Sequence, residues 1–250
     1  MIKSLSIILP LYNEEKRLRK SLKKIANFLK TKKIQYIEII FVDDGSIDNS
    51  SQIILQFIKN FNKKKFIKLQ LVKYRKNQGK GAALKKGVAR ATGDWILTSD
   101  IDFSVSLFEL LNWQREKYIN KNEKVYFGSR AHKNSNVRSK LYRKIIGNFL
   151  RILISSFLQI KIKDTQCGFK LYKKQIAKKI FFEMSSQRFE HDIEIILLLK
   201  KRKINIIELP VKWEHIADSK VNIFVDPLKV LISIFLLKFK NSDVAPEEPI

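Results

Sequence analysis

Apolar positions along the first hundred residues fall into two alternating kinds of run. LSIIL (residues 5–9) is a short β-branched run stopped by Pro10, and EEKRLRKSLKKIANFLKT after it spaces Leu18, Leu22, Ile25 and Leu29 as one face of a helix. The plan repeats in IEIIFVDDGSIDNS (37–50): a continuous apolar run, a turn of Gly, Ser and Asp, then the helix SSQIILQFIKNF, with Asp48 or Ser50 available as its N-cap. FIKLQLVKY predicts a third strand, residues 79–91 a helix after a glycine-rich turn, and DWILTSD a fourth strand.

These strands are continuously apolar rather than alternating, and helices separate them. That combination predicts an α/β fold with a mostly parallel sheet covered on both faces. Beyond residue 105 the pattern changes to a helix over 106–120, the strand VYFGSR, an apolar helix over 141–162, the loop KDTQCGFKLY, helices near 174–182 and 189–201, and the strand INIIELPVKW. The polar, proline-containing end NSDVAPEEPI (241–250) reads as a disordered tail.

Charge widens the range of partners. Fifty Lys and Arg against 24 acidic residues give a net charge of +26, which attracts nucleic acid, anionic lipid or phosphorylated substrates. Lysine is also spread through loops such as NKKK and KKRK, as a general compositional bias would spread it. The single cysteine, Cys167, excludes an intramolecular disulfide framework and a cysteine-based zinc site. The opening MIKSLSIILPLYNEE lacks the pattern of a signal peptide. No run reaches the roughly 20 apolar residues of a spanning helix. Two come partway: 145–162, broken by Asn148, Arg151 and Gln159, and 227–240, flanked by lysines. They fit either buried core helices or helices lying in a membrane surface with lysines reaching toward head groups.

In parallel sheets ligands bind beyond the carboxyl ends of the strands, and here those ends read PLYNE, DDGS and SDID. Asp100 and Asp102, two residues apart on an extended strand end, point the same way and can converge on one hard cation. An isolated pair of this kind is equally an ordinary turn and cap ahead of SVSLFELLNW. A second acidic cluster, Asp43 and Asp44, ends another strand that opens on the same crevice, although each is also ordinary turn chemistry. Carboxylates crowded together repel unless a cation compensates, so the convergence points to a divalent ion carrying phosphate. NQGKGAALKKG adds glycines for close backbone approach and Lys80 for a phosphate or acidic neighbour. It matches neither the P-loop nor the dinucleotide fingerprint.

SIILPLYNEE, FVDDGSIDNS, NQGKGAALKKGVARATGDWILTSDID and GSR resemble the family two inverting glycosyltransferases of GT-A (Rossmann-like) fold. RAH, DTQCGFKLY, RFEHDIEII and ELPVKWEHIADSKV resemble, within them, the dolichyl-phosphate beta-glucosyltransferases, relatives of the polyprenyl-phosphate mannosyltransferases. The similarity covers about residues 4–230. It implies one domain over 1–240, with a nucleotide-binding half (1–104) and an acceptor half (105–240) carrying C-terminal amphipathic interfacial helices at 141–162 and 227–240.

The resemblance also implies roles. Pro10, Tyr12, Asn13 and Glu14 line the nucleotide pocket, Asp43 holds the base or ribose with Asp44 nearby, and Lys80 lies beside the nucleotide. Asp100 and Asp102 bind Mg or Mn bridging the diphosphate of a sugar nucleotide, and Asp164, Gln166 and Gly168 form a loop over sugar and acceptor. Some relatives carry glutamine where this chain has Ser104. A lipid monophosphate is already anionic, so it needs no strong general base. It must be gripped against its repulsion from the diphosphate, which calls for arginine. Arg130 in GSR is the leading candidate, followed by Arg138 and Arg143, which read equally as solvated residues of a basic chain. Asp192 and Glu194 open a helix, where they either favour its N-terminus or orient the sugar or Arg130. Trp213 and His215 read as sugar contacts or as core.

The expected activity is transfer of glucose from UDP-glucose to a dolichyl or other polyprenyl monophosphate, on the cytoplasmic face of a membrane and with monotopic attachment. GDP-mannose or another sugar nucleotide is the alternative donor. A basic nucleic-acid-binding protein is a reading from a different class. It leaves the acidic strand ends without a use and lacks an RNA-binding aromatic motif, so no nucleic-acid partner is expected. A membrane-surface scaffold is the other.

Overall fold

The continuous apolar runs become the inner strands of a seven-stranded sheet in a computed structural model that describes residues 2–31, 33–61, 66–120, 122–138, 160–188 and 190–214. The elements are β1 (Ser4–Leu11), α1 (Glu15–Lys30), β2 (Tyr36–Asp43), α2 (Ser50–Phe61), β3 (Ile67–Lys73), α3 (Lys80–Arg90), β4 (Trp95–Thr98), α4 (Phe108–Arg115), β5 (Val125–Ser129), β6 (Asn136–Arg138), β7 (Lys170–Lys173), α5 (Lys174–Glu183), α6 (His191–Lys201), β8 (Ile207–Pro210) and β9 (Lys212–Glu214). The strand order is β3-β2-β1-β4-β7-β5-β8, with β6 and β9 paired separately. β1 pairs in parallel with both β2 and β4, so the order reverses there and a crevice opens beyond their carboxyl ends.

Each inner strand feeds two cores, which is why it is apolar throughout. Ile39 and Phe41 of β2 join one cluster with Leu18, Leu22 and Phe28 of α1. Ile40 and Val42 face the other way, toward Ala83, Leu84 and Val88 of α3 and Ile176 of α5. Fully burying side chains of this size contributes about 1.5–3 kcal/mol each, so the two layers fix the strand ends firmly.

The sheet is mixed rather than wholly parallel. The stretch expected as one loop, KDTQCGFKLY, supplies β7, which runs antiparallel between β4 and β5. The helix expected over 106–120 is shorter, Phe108–Arg115. INIIELPVKW divides at Val211 between β8 and β9, because its second half leaves the main sheet to pair with β6. Ile160, Lys161 and Ile162 lie outside any helix; the rest of the helix expected at 141–162 lies outside the described residues, as do the one at 227–240 and the tail at 241–250. Among the described residues no helix is long and apolar enough to cross a membrane.

Candidate active site

The first wall of the crevice is a lattice between the loops after β1 and β2. Asn13 N donates to Ser46 Oγ (2.8 Å), Glu14 N to Ser50 Oγ (2.8 Å) and Glu15 N to Asp48 Oδ2 (3.1 Å), while Ile47 N donates back to Asn13 Oδ1 (2.9 Å). Asn13 sits in the left-handed region (φ 53), which its short amide side chain tolerates. Asp48 Oδ1 also accepts from Ser50 N (3.0 Å), so this carboxylate braces the starts of α1 and α2 together. Pro10 lies in β1 opposite Val42, Tyr12 is exposed at the rim, and Glu14 holds Arg17 at 2.7 Å.

Asp43 and Asp44 are both buried; Asp43 turns into its own loop and Asp44 toward the NQGK turn after β3. Asp43 accepts from Ser46 N (2.8 Å) and from Ser51 Oγ, with Lys73 Nζ at 3.7 Å. Asp44 accepts from Asn77 Nδ2, Gln78 N and Gly79 N, each at 2.8 Å. Burial pushes its carboxyl above the usual value, against those two backbone donors. Asp44 thereby ties the NQGK turn to β2. Gly79 is required there: its φ is +104, and a Cβ would strike the Gln187 carbonyl and the Arg188 side chain.

Lys80, the first residue of α3, reaches from that turn to Asp100, Nζ to Oδ1 2.6 Å. Burial works against its charge, but Asp100, Asp192 and Asp102 outweigh burial and hold its pKa above the usual lysine range. Asp100 and Asp102 lie past the end of β4 in a turn closed by Phe103 N to Asp100 O (3.1 Å), so the turn brings them together rather than an extended strand. Asp102 Oδ1 accepts from Ser104 N (3.0 Å). Burial and then the charge of Asp100 raise the Asp102 pKa. Two crowded, all-oxygen carboxylates that repel each other are a donor set a hard divalent cation relieves.

Arg130 lines the same pocket as Asp100. Arg130, just past β5, is gripped by Asp164 in a two-pronged pair, Nε to Oδ2 2.7 Å and Nη2 to Oδ1 2.8 Å, with its own backbone N also on Oδ2 (2.8 Å). Burial opposes both charges, yet each holds the other ionised: Asp164 below the carboxylate range, Arg130 above its own. Arg130 also lies over the Trp213 ring at 5.9 Å. The backbone of Arg138 ends β6; Arg143 and His215 lie outside the described residues.

The 164–168 loop closes the site. Glu208 of β8 accepts from the backbone N of Lys163 and of Asp164, each at 2.9 Å, and Gln166 N donates to Asp164 Oδ1 (3.3 Å). Gly168 lies against Asp100, whose carboxylate a Cβ would strike, and its carbonyl accepts from Thr98 Oγ1 (3.2 Å). Cys167 is buried, its thiol pushed up to about 12 chiefly by burial, which suits packing and not nucleophilic attack.

The outcome is an open pocket lined by Asp100, Ser104, Arg130, Gln166, Gly168 and Trp213. A smaller recess behind Asp100 and Gly168 is lined by Lys80, Ser99, His191 and Asp192. Asp192 sits in the first turn of α6, ion-paired to Lys170 and 3.2 Å from His191 Nε2, while His191 Nδ1 donates to the Arg188 carbonyl (2.6 Å). Burial pushes the Asp192 carboxyl up, but His191, Lys170 and Lys80 together hold it well below the carboxylate range. Glu194 faces away and accepts from Ser185 N (2.9 Å) and Ser186 N (2.7 Å). Glu208 and Lys170 escaped sequence reading; the one available signal was a lysine inside an otherwise apolar FKLY stretch.

A crevice at the carboxyl ends of parallel strands thus brings Asp100 and the Asp164-anchored Arg130 to one pocket, and the relatives of the chain are glycosyltransferases. The Glycosyl transferase family 2 profile matches residues 6–181. Dolichyl-phosphate beta-glucosyltransferase of Saccharomyces cerevisiae is 31% identical over 252 residues, covering 94% of this chain and 74% of that one. The Homo sapiens enzyme of the same name is 32% identical over 236 residues, covering 88% and 70%. Among solved structures, a Pyrobaculum calidifontis mannosyltransferase in complex with GDP-Man and Mn2+ superposes with a TM-score of 0.62 at 16% identity, covering 97% of this chain and 65% of that one. Mannosyl-3-phosphoglycerate synthase from Rubrobacter xylanophilus gives 0.61 at 14%, covering 98% and 77%. These two likenesses establish the GT-A fold. The chain belongs to glycosyl transferase family 2 and, within it, to the family of the dolichyl-phosphate beta-glucosyltransferases.

Proposed function

We propose that the chain transfers glucose from UDP-glucose to the phosphate of a dolichyl or other polyprenyl monophosphate, inverting the anomeric carbon. The observation that carries this reading is the pocket that Asp100 and Arg130 line together. A charge-separated site of that kind suits two phosphorylated reactants that repel each other. The relatives' names supply the sugar and the lipid.

Residues 1–104 then form the donor half, with Pro10, Tyr12, Asn13, Glu14, Asp43 and Asp44 building the nucleotide wall, and residues 105–240 the acceptor half. Asp100 and Asp102 would hold Mg or Mn, which supplies charge neutralisation to the departing nucleoside diphosphate. Lys80 places a second cation beside that diphosphate. Arg130, held on its inner edge by Asp164, turns its remaining N–H groups to the acceptor phosphate, with Arg138 and Arg143 as further grips. An acceptor phosphate oxygen attacks the sugar C1 as the bond to the UDP oxygen breaks. The acceptor is already anionic, so no protein group has to remove a proton. Asp192 and the 164–168 loop orient the sugar between the two phosphates. Segments 141–162 and 227–240, with the +26 charge, provide peripheral attachment to the cytoplasmic face of a membrane.

The test is a panel of labelled UDP-glucose, GDP-mannose and other sugar nucleotides with Mg and polyprenyl phosphate. Lipid-linked glucose from UDP-glucose supports the reading; label arriving from GDP-mannose instead would change the sugar and keep the chemistry.

A further inference from the structure

Lys170 is a charged residue placed in the interior, about 1% exposed in the middle of the sheet. Its ammonium pairs with Asp192, donates to the Thr165 carbonyl (3.0 Å) and lies 4.8 Å from the centre of the Phe127 ring. The three partners come from three segments: the first turn of α6, the 164–168 loop and β5. Taking two charges out of water costs several kcal/mol per ion, and apolar residues of equal volume commonly serve stability as well. A buried pair at this position is therefore better explained by geometry than by stability.

What the pair positions lies on either side of it. Beyond Asp192 is the recess shared with Lys80 and Asp100. Beyond Thr165 the loop continues through Gln166 and Gly168 into the pocket that holds Arg130. Lys170 stands behind both and ties one to the other. We propose that Lys170 is a positioning residue for glycosyl transfer, fixing the Asp192 carboxylate and the 164–168 loop in one register so that donor-side and acceptor-side pockets meet on a single reacting centre. The inference rests on the transferase reading of the site.

The test compares Lys170→Met, Lys170→Arg, Asp192→Asn and the Lys170→Met/Asp192→Asn double variant, all in the full chain. Lys170→Met should lower kcat about 100-fold, the scale of a misplaced reacting geometry, while calorimetric binding of UDP-glucose with Mn stays within about threefold. Lys170→Arg keeps the charge and should recover at least about tenfold of that loss. In the double variant the two losses should not multiply, because both changes break one link. A kcat within about threefold of wild type, or losses that multiply, would overturn the proposal. Should Lys170→Met fail to fold, Asp192→Asn still decides. By loosening Lys170 it should speed amide hydrogen exchange across residues 164–168 by about fivefold or more, and unchanged exchange there refutes the coupling. Exchange is read without turnover, so a wild-type chain inactive with every donor would count against the transferase reading alone.

Discussion

Lys80 Nζ lies 2.6 Å from Asp100 Oδ1, joining the start of α3 to the turn after β4 at the centre of the site. In the proposed mechanism this pair joins the cation beside the diphosphate to a carboxylate of the metal site. Replacing Lys80 with methionine removes a charge-assisted contact worth about 1.5–3 kcal/mol. UDP-glucose affinity, measured by calorimetry with Mg present, should fall roughly tenfold to a hundredfold. An unchanged affinity would place Lys80 outside the diphosphate site.

Asp102 is the second carboxylate of that turn, with its pKa raised by burial and by Asp100. Asp102→Ala should reduce transfer by about a thousandfold or more, as loss of a charge-stabilising group at a reacting phosphate does. Co-sedimentation with anionic vesicles should be unaffected, because the turn lies inside the crevice. Retained activity would remove the metal assignment.

Gly168 touches Asp100 through a contact that leaves no room for a Cβ. Gly168→Ala should cost about 1–3 kcal/mol by overpacking. Its larger effect should be on turnover, about 100-fold, through displaced acceptor-loop geometry. A melting curve and steady-state kinetics on the same sample separate the two.

Asp164 and Arg130 supply the pH dependence. Arg130 holds the Asp164 carboxyl below its usual 3.8 despite burial. A depressed folded pKa contributes stability that is fully present above the unfolded value and is lost as pH falls through the folded one. Asp164→Asn should therefore cost about 2–4 kcal/mol at neutral pH, less than a fully buried pair because Arg130 is 35% exposed. The gap to wild type in urea unfolding should narrow as pH drops below about 4. A gap that stays constant across that range would contradict the ion-pair account.

How far the sequence carried depended on whether each partner was local. The strands ending at Leu11, Asp43 and Thr98 were legible because burial on both faces demands continuous apolar runs. β7 was not, since Lys170 interrupts its pattern and becomes compatible with a buried strand through distant partners, chiefly Asp192 on a later helix. The acidic strand ends were legible as a site, while the division of labour among them was not. Asp44 holds Asn77, Gln78 and Gly79 from a distant turn, and Arg130 is set by Asp164, both contacts that sequence spacing does not encode. The β6 and β9 pairing was likewise invisible, because three-residue strands carry too few positions for a period.

Transfer is tested most directly by the product of UDP-[14C]glucose, Mg and a polyprenyl monophosphate incubated with the full chain, with the anomeric configuration of any lipid-linked sugar assigned by NMR. Displacement of the diphosphate by the lipid phosphate in one step predicts an acid-labile glucosyl lipid of β configuration. An α-linked product would contradict the single displacement, and no lipid-linked sugar from any nucleotide donor would contradict the function itself.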